Sequence, residues 1–428
     1  MAAKRSAWLL FPLLSISFVS FVLVVVVVRF SGQWAARPLR FPGAAGLDDP
    51  SPPAPRIAYF ISGSDGDGDR VLRLLRAVYH PRNQYLLHLD LRAPHRQREY
   101  LVSAVQSVDS FVAAGNVNVV GKADYANREG STAIASVLHG AAVLLRHSKG
   151  WDWFVNIAAS DYPLITQDDL LHVLSFLPRD INFIQYSDKI DWKESRRMRS
   201  IVVDPGIYLA ARRDIFIGTQ KRPFPTSYRF STEGALKEVN NAAPVKQRRH
   251  GAQTNEQVGS PFVILSRKFV QFAILGWDNL PRTLLMYFTN MRSPQRGYFH
   301  TLAVNSKEFC DTVVASDLRF GSPAAAEERP SPADLDAILG SGAAFAGGFR
   351  PRDPLLDRID AAVLRRRWGR VAPGGWCVGG GGWWWSDPCS AWGDTDVLRP
   401  GPGARRFEKF LLRSMANSSV WTSPCGPF

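Results

Sequence analysis

Trp151-Asp-Trp-Phe-Val-Asn-Ile-Ala-Ala-Ser-Asp161-Tyr-Pro163-Leu-Ile-Thr166-Gln-Asp-Asp169-Leu-Leu171 changes character three times, from apolar run to polar turn to amphipathic helix. Phe154, Val155, Ile157, Ala158 and Ala159 form the continuous apolar run of a strand covered on both faces by helices. Pro163 has no N–H for a strand ladder and restricts the residue before it, so Asp161 and Tyr162 are expected in a loop at the strand's C-terminal edge. Open α/β sheets bind ligands at that edge. Thr166 and Asp169 are spaced as a capping box for a helix that turns Leu170, Leu171, Leu174 and Leu177 inward. A purely structural strand, turn and helix would carry the same pattern, so the turn alone leaves both uses open.

The preceding chain repeats the theme. Ile57 to Ser62 is an apolar strand, followed by Gly63-Ser-Asp65-Gly-Asp67-Gly-Asp69 and a helix with Val71, Leu74, Leu75 and Val78 on one face. Gln84 to Asp90 is a second strand, again ending in a carboxylate, and Val117 to Val120 a third. A helix from about Ser131 to Arg146 carries Ile134, Val137, Leu138, Ala141 and Leu145 at helical spacing and leads into the Trp151 strand. Alternating strands and helices predict an α/β domain with a mostly parallel central sheet. Asp65, Asp67 and Asp69 imitate a calcium loop, but Arg70 and Arg76 stand where that loop needs Gly and Glu. A DxD metal site and simple capping of the next helix remain, and capping is the expectation.

With 428 residues and 46% hydrophobic content, most of the chain has material for a core. Residues 8–28 contain no charge and end in five valines, long enough to cross a bilayer, so they are expected to be a signal-anchor rather than a cleaved signal peptide. Residues 1–7 would then be a cytosolic tail, the proline-rich 29–55 a stem, 56–413 the folded domain in the lumen, and 414–428 a tail carrying the sequon Asn417-Ser-Ser419. Among four cysteines, Cys377 and Cys389 stand close together and are expected to pair, while no CxxC or histidine pair completes a zinc set. The formal charge of +14 comes from scattered basic residues without a nucleic-acid-binding motif. A phosphate-bearing or acidic-sugar substrate fits that balance better than nucleic acid.

Several long motifs occur in fixed order. They are Arg56-Ile-Ala-Tyr-Phe-Ile-Ser-Gly63, Ala77-Val-Tyr-His-Pro-Arg-Asn83, Leu86-Leu-His-Leu-Asp90, the Trp151–Leu171 stretch, Asp204-Pro-Gly206, Gly276 to Tyr287, Tyr298-Phe-His-Thr301, Asp353-Pro-Leu-Leu-Asp357 and Pro373-Gly-Gly-Trp-Cys377. With these the chain resembles glycosyltransferase family 14, the core-2/I-branching enzymes, and most closely its plant β-glucuronosyltransferases acting on arabinogalactan proteins. The resemblance implies a type II Golgi membrane protein with a GT-A-like nucleotide-sugar fold, a UDP-sugar donor, a glycan acceptor on glycoprotein, and inverting chemistry without a metal or other cofactor. Complexes with other Golgi transferases would be compatible with it.

The same resemblance suggests site residues. Asp161 matches the family's donor-side carboxylate, and Asp90 is a second candidate at a parallel strand end. Arg350 and Arg352, before Asp353, are candidates to neutralise the departing diphosphate, the task a metal would otherwise perform. Trp277, Asp278 and Asn279 are candidates for an acceptor groove, with a buried structural tryptophan as the competing use. Relatives carry a glutamate base just before Gly-Tyr-Phe-His-Thr, where this chain has Arg296. A guanidinium cannot accept a proton. Asp278 or Glu308 would have to serve instead, or the chain binds donor or glycan without efficient transfer. UDP-glucuronic acid is the expected donor, with UDP-GlcNAc and UDP-xylose as alternatives. Residues 231–258 look like an inserted polar loop, and the segment after Arg319 is shorter than in relatives.

Overall fold

The computed structural model describes residues 52–185, 200–208, 215–221, 260–321, 330–379 and 387–416. The expected anchor, most of the stem, the insertion at 231–258, Asn417 and Cys425 lie outside them. Among the described residues no helix is long and apolar enough to cross a membrane.

In chain order the elements are β1 (Ile57–Gly63), α1 (Gly68–Ala77), β2 (Gln84–Leu89), α2 (His95–Gln106), α3 (Asp109–Ala114), β3 (Val117–Val119), α4 (Ser131–His147), β4 (Trp153–Ala158), β5 (Tyr162–Pro163), α5 (Gln167–Ser175) and β6 (Asn182–Ile184). There follow β7 (Ser200–Val203), β8 (Phe216–Lys221), β9 (Val263–Ser266), α6 (Arg267–Leu275), α7 (Leu280–Phe288), α8 (Tyr298–Val304), β10 (Val313–Val314), α9 (Leu335–Gly340), β11 (Phe345–Ala346), α10 (Pro354–Ile359) and α11 (Pro402–Ala416). The main sheet has seven strands in the order β10-β6-β9-β4-β1-β2-β3. Strands β3, β2, β1 and β4 are mutually parallel, whereas β9 runs antiparallel to both of its neighbours, β4 and β6. The sheet is therefore mostly parallel, as expected, with one reversed strand.

Period-two alternation splits β1 between two helical layers. Ala58 and Phe60 join Phe154, Leu265 and the inward residues of α4, α6, α7 and α8 in one apolar cluster. Tyr59 faces the other way, stacks on Tyr85 at 5.4 Å, and donates from Oη to Gln167 at the start of α5. Helix α4 lies so close to the sheet that a Cβ on Gly140 would come within 2.5 Å of the Phe60 ring. That position needs glycine.

The Thr166 capping box is present, with Thr166 Oγ1 accepting from the Asp169 N–H and Asp169 returning a bond to the Thr166 N–H. Leu170, Leu171, Leu174 and Leu177 are buried, and the Val117 strand and the Ser131 helix form where periodicity places them. Two expectations need correction. Tyr162 and Pro163 are not loop but a short strand, antiparallel to Phe345–Ala346, because proline is tolerated in so brief a ladder. Asp67 occupies the N-cap of α1, yet its side chain makes no capping bond to the helix.

Candidate active site

Parallel strands put Gly63, Asp90 and Asp161 on one edge of the sheet. Asp161 follows β4 in a tight turn: its N–H donates to the Ala158 carbonyl, and its Oδ2 accepts from the Ala158 N–H at 2.7 Å. Its Oδ1 accepts from Arg319 Nη2 at 2.7 Å, forming an ion pair. Arg319 also lies over the Phe262 ring, and Gly347 packs so tightly beside the pair that any side chain there would collide with it. Asp90 accepts from Ser64 Oγ at 3.1 Å and, through Oδ2, from Arg92 Nε at 2.8 Å and Nη2 at 2.5 Å. Both carboxylates are more than nine-tenths buried. Each already has protein donors on both oxygens, so each presents an arginine to its surroundings.

The three aspartates of the first loop diverge. Asp65 accepts from Gln97, Asp67 from the Ser64 N–H and from Arg70 Nη1, and Asp69 from the Tyr100 hydroxyl. Among the described residues no group of three or more His, Cys, Asp or Glu is arranged to hold a metal. Arg70 links this loop to the C-terminal part of the chain, donating from Nη2 to the Phe349 carbonyl at 2.8 Å. The Phe349 N–H in turn donates to the Ser160 carbonyl, next to Asp161. Residues 345–353 thus fold over the carboxyl ends of β1 and β4, bringing Arg350 and Arg352 to this edge with exposed side chains. Asp353 shapes the segment by accepting from the Arg350 and Leu355 N–H groups.

Beneath Asp161 lies a polar network that the sequence did not disclose. The buried Tyr162 hydroxyl donates to Asp360 and accepts from Arg366 Nη2 at 2.8 Å, while Arg73 Nη2 reaches Asp360 at 2.7 Å. Burial pushes the Tyr162 hydroxyl up to about 12, with Arg366 opposing, so it keeps its proton at neutral pH. On the other side of Arg319 opens a cavity of about 300 Å³ lined by Gln185, Ser316, Asp317, Arg319, Ser341 and Ser414 among others. Burial raises the Asp317 carboxyl above the ordinary carboxylate range.

Arg296 ends a short 3₁₀ turn, Pro294–Arg296, docked on the start of α4. Ser293 N–H donates to the Glu129 carbonyl, Gln295 Nε2 to the Arg128 carbonyl, and Arg292 Nε to Glu129 Oε2 at 2.6 Å. The start of α4 belongs to the ligand edge, because the Ser148 carbonyl just past its far end accepts from Arg267, whose N–H donates to the Asp152 carbonyl at the amino end of β4. Asp204 fixes that start by accepting from Thr132 N–H and Oγ1 at 2.9 and 2.6 Å. Arg296 is half-buried. Glu308 is elsewhere: it pairs with Lys268 at 2.6 Å, beside the Arg267 whose N–H donates to the Asp152 carbonyl at the opposite edge. Asp278 is exposed and accepts from the Leu280 N–H. Trp277 is 54% exposed with its ring 5.0 Å from Phe272, so the competing use as a buried structural tryptophan does not hold. Asn279 takes the left-handed conformation before α7.

A sequence model of the core-2/I-branching enzyme family matches residues 57–332. Beta-glucuronosyltransferase GlcAT14A of Arabidopsis thaliana is 43% identical over 380 residues, which are 88% of this chain and 78% of that protein. The chain belongs to the core-2/I-branching enzyme family. Beta-glucuronosyltransferase GlcAT14C of the same plant is 37% identical, covering 87% of this chain and 85% of its own. Xylosyltransferase 1 of Canis lupus familiaris is 26% identical over 62% of this chain and 24% of its own.

In this family member Asp161, Arg319, Arg70 and residues 345–353 meet at one edge of the sheet. Arg319 and Glu129 were missed from sequence because each lies in a short polar stretch whose partner is more than 150 residues away in the chain. Cys377 and Cys389 form the expected disulfide. Two residues before Cys377, the Gly375 N–H donates to the buried Asp168 at 2.7 Å, tying the C-terminal region to α5. Cys310 is also disulfide-bonded.

Proposed function

We propose that this glycosyltransferase transfers glucuronic acid from UDP-glucuronic acid to β-galactan chains of arabinogalactan proteins, with inversion. Its GT-A-like domain would face the Golgi lumen from a signal-anchor at residues 8–28. The observation that carries the donor assignment is the fold of residues 345–353 over the ends of β1 and β4, which sets Arg350 and Arg352 beside the Asp161 turn. In this reading the two guanidinium groups meet the diphosphate, charge stabilisation that a leaving group needs and that a metal would otherwise supply. Asp161 and Asp90 act through the arginines they hold, and Arg319, lining the adjoining cavity, suits a uronate carboxylate. The relatives' names support glucuronic acid over GlcNAc, and the greater identity to them supports it over xylose.

Transfer itself needs a base for the acceptor hydroxyl. Arg296 at the family's base position favours a second reading, in which the protein binds donor and glycan but transfers slowly. Asp278, on the exposed Trp277–Asn279 turn, remains a base and acceptor-side candidate, whereas the position of Glu308 at the opposite edge speaks against it. Titration with UDP and UDP-glucuronic acid tests the donor site. Arg350→Ala combined with Arg352→Ala is expected to weaken UDP binding about tenfold or more, since hydrogen bonds to charged groups contribute about 1.5–3 kcal/mol. Unchanged UDP affinity in a folded double variant would remove these arginines from the site.

A further inference from the structure

Apart from Arg366, which joins the Tyr162–Asp360 network, the stretch Leu364-Arg365-Arg-Arg-Trp368-Gly-Arg370 has no part in the site above. From Arg350 to Arg370 the chain carries seven arginines against three aspartates. Arg366 is the anchor: Nε and Nη2 reach the two Asp360 oxygens at 2.6 and 2.9 Å, and Nη1 donates to the Arg370 carbonyl at 2.7 Å. Its backbone N–H donates to the Asp360 carbonyl, and the Arg370 N–H to that of Arg367. Arg365 at φ 50° and Gly369 at φ 77° turn the chain on either side. A buried guanidinium therefore fixes a tight turn from within, and the turn projects Trp368.

That indole is 87% exposed, more than any other large apolar side chain among the described residues. Arg365 and, on α10, Arg358 are exposed with it. An indole face covers the C–H face of a sugar ring, while arginine forks match a carboxylate; a rigid turn offering both is preorganised for an acidic sugar. We propose that the Arg365–Arg370 turn is a second carbohydrate-binding site, which holds a uronate-bearing galactan chain outside the transfer site. The chain class rests on the glucuronosyltransferase reading above. Anionic lipid is the less suited partner, because membrane docking needs a broad apolar face and Trp368 is the one exposed large apolar side chain between residues 350 and 370. The turn is joined to the donor edge through Asp360 and Tyr162, so a chain held here would stay beside the enzyme between transfers.

The full chain, as wild type, Trp368→Ala and Arg365→Gln, is titrated with a galacto-oligosaccharide bearing glucuronic acid, with its neutral counterpart, and with vesicles of anionic lipid. UDP serves as the control ligand. Trp368→Ala is expected to weaken the acidic oligosaccharide about tenfold, and Arg365→Gln to weaken it less and reduce its salt sensitivity, both with UDP affinity unchanged. Equal binding of the acidic chain by wild type and Trp368→Ala overturns the proposal. So does equal binding of acidic and neutral chains, or Trp368-dependent capture by vesicles alone. If UDP-glucuronic acid proves not to be the donor but Trp368-dependent binding of the acidic chain persists, the platform stands and only the transfer reading fails.

Discussion

Arg296 places a permanent positive charge on the turn where the family resemblance leads one to expect the base. Losing a positioned base costs about a hundred- to ten-thousand-fold in rate, and the surrounding turn is intact, docked on Arg128 and Glu129. Arg296→Glu is therefore expected to raise turnover about tenfold or more without tightening UDP binding, measured by UDP release alongside UDP titration. Efficient wild-type transfer that drops in Arg296→Glu would instead make Arg296 a clamp for the uronate carboxylate. At this scale the sequence was most informative where a motif carried the residue. Asp161, Asp90 and Arg350 could be located from their motifs, but their partners could not. Whether a carboxylate faces ligand or an internal arginine depends on Arg319 and Arg92, and in the case of Arg319 on a contact across 158 positions. The exposure of Trp277 was likewise beyond reach, because a tryptophan after a helix reads the same whether it is covered or not.

Elements were more legible than contacts, since strands and helices follow local periodicity. The strand and helix of Trp151–Leu171, the capping box between them, and α4 form as the spacing predicts. Two-residue β5 could not be foreseen, because its only partner is Phe345–Ala346. The connection from α1 to β2 carries a further consequence. His80 is fully buried there, its Nδ1 accepts from the Arg82 N–H, and its Nε2 stands 3.7 Å from Asp168. Burial, with a smaller contribution from Arg82, pushes the imidazole down to about 3. Its folded value lies below the unfolded one of about 6.5, so its contribution to stability is present above that pH and is lost as pH falls toward the folded value. At pH 5 the loss is about 2 kcal/mol. Asp168, raised by burial, acts in the opposite direction and is common to both proteins compared. Thermal denaturation should show wild type losing more stability than His80→Asn between pH 7 and pH 5; asparagine keeps an acceptor for Arg82. Parallel curves would mean that His80 does not stay neutral.

The whole molecule joins a mostly parallel sheet to a C-terminal region that returns along it: residues 345–353 cross the ligand edge through Arg70 and Ser160, and Gly375 and Arg399 on Asp168 and Gly401 on Asp169 tie the later chain to the start of α5. Fold class followed from alternation of elements, whereas this return did not, since it depends on single backbone N–H groups meeting buried carboxylates. Because Asp65, Asp67 and Asp69 are engaged separately and arginines flank the edge proposed for the donor, UDP affinity is expected to survive chelation. Loss of binding in EDTA, restored by manganese, would reinstate a metal at the first loop. The most direct measurement supplies the purified full chain and Arg296→Glu with UDP-glucuronic acid, UDP-xylose or UDP-GlcNAc and a β-galactan oligosaccharide, and weighs the products by mass spectrometry. A product one glucuronosyl unit heavier, formed from UDP-glucuronic acid alone and faster with the glutamate variant, is predicted. Transfer of a different sugar, or none by either protein, would contradict the account.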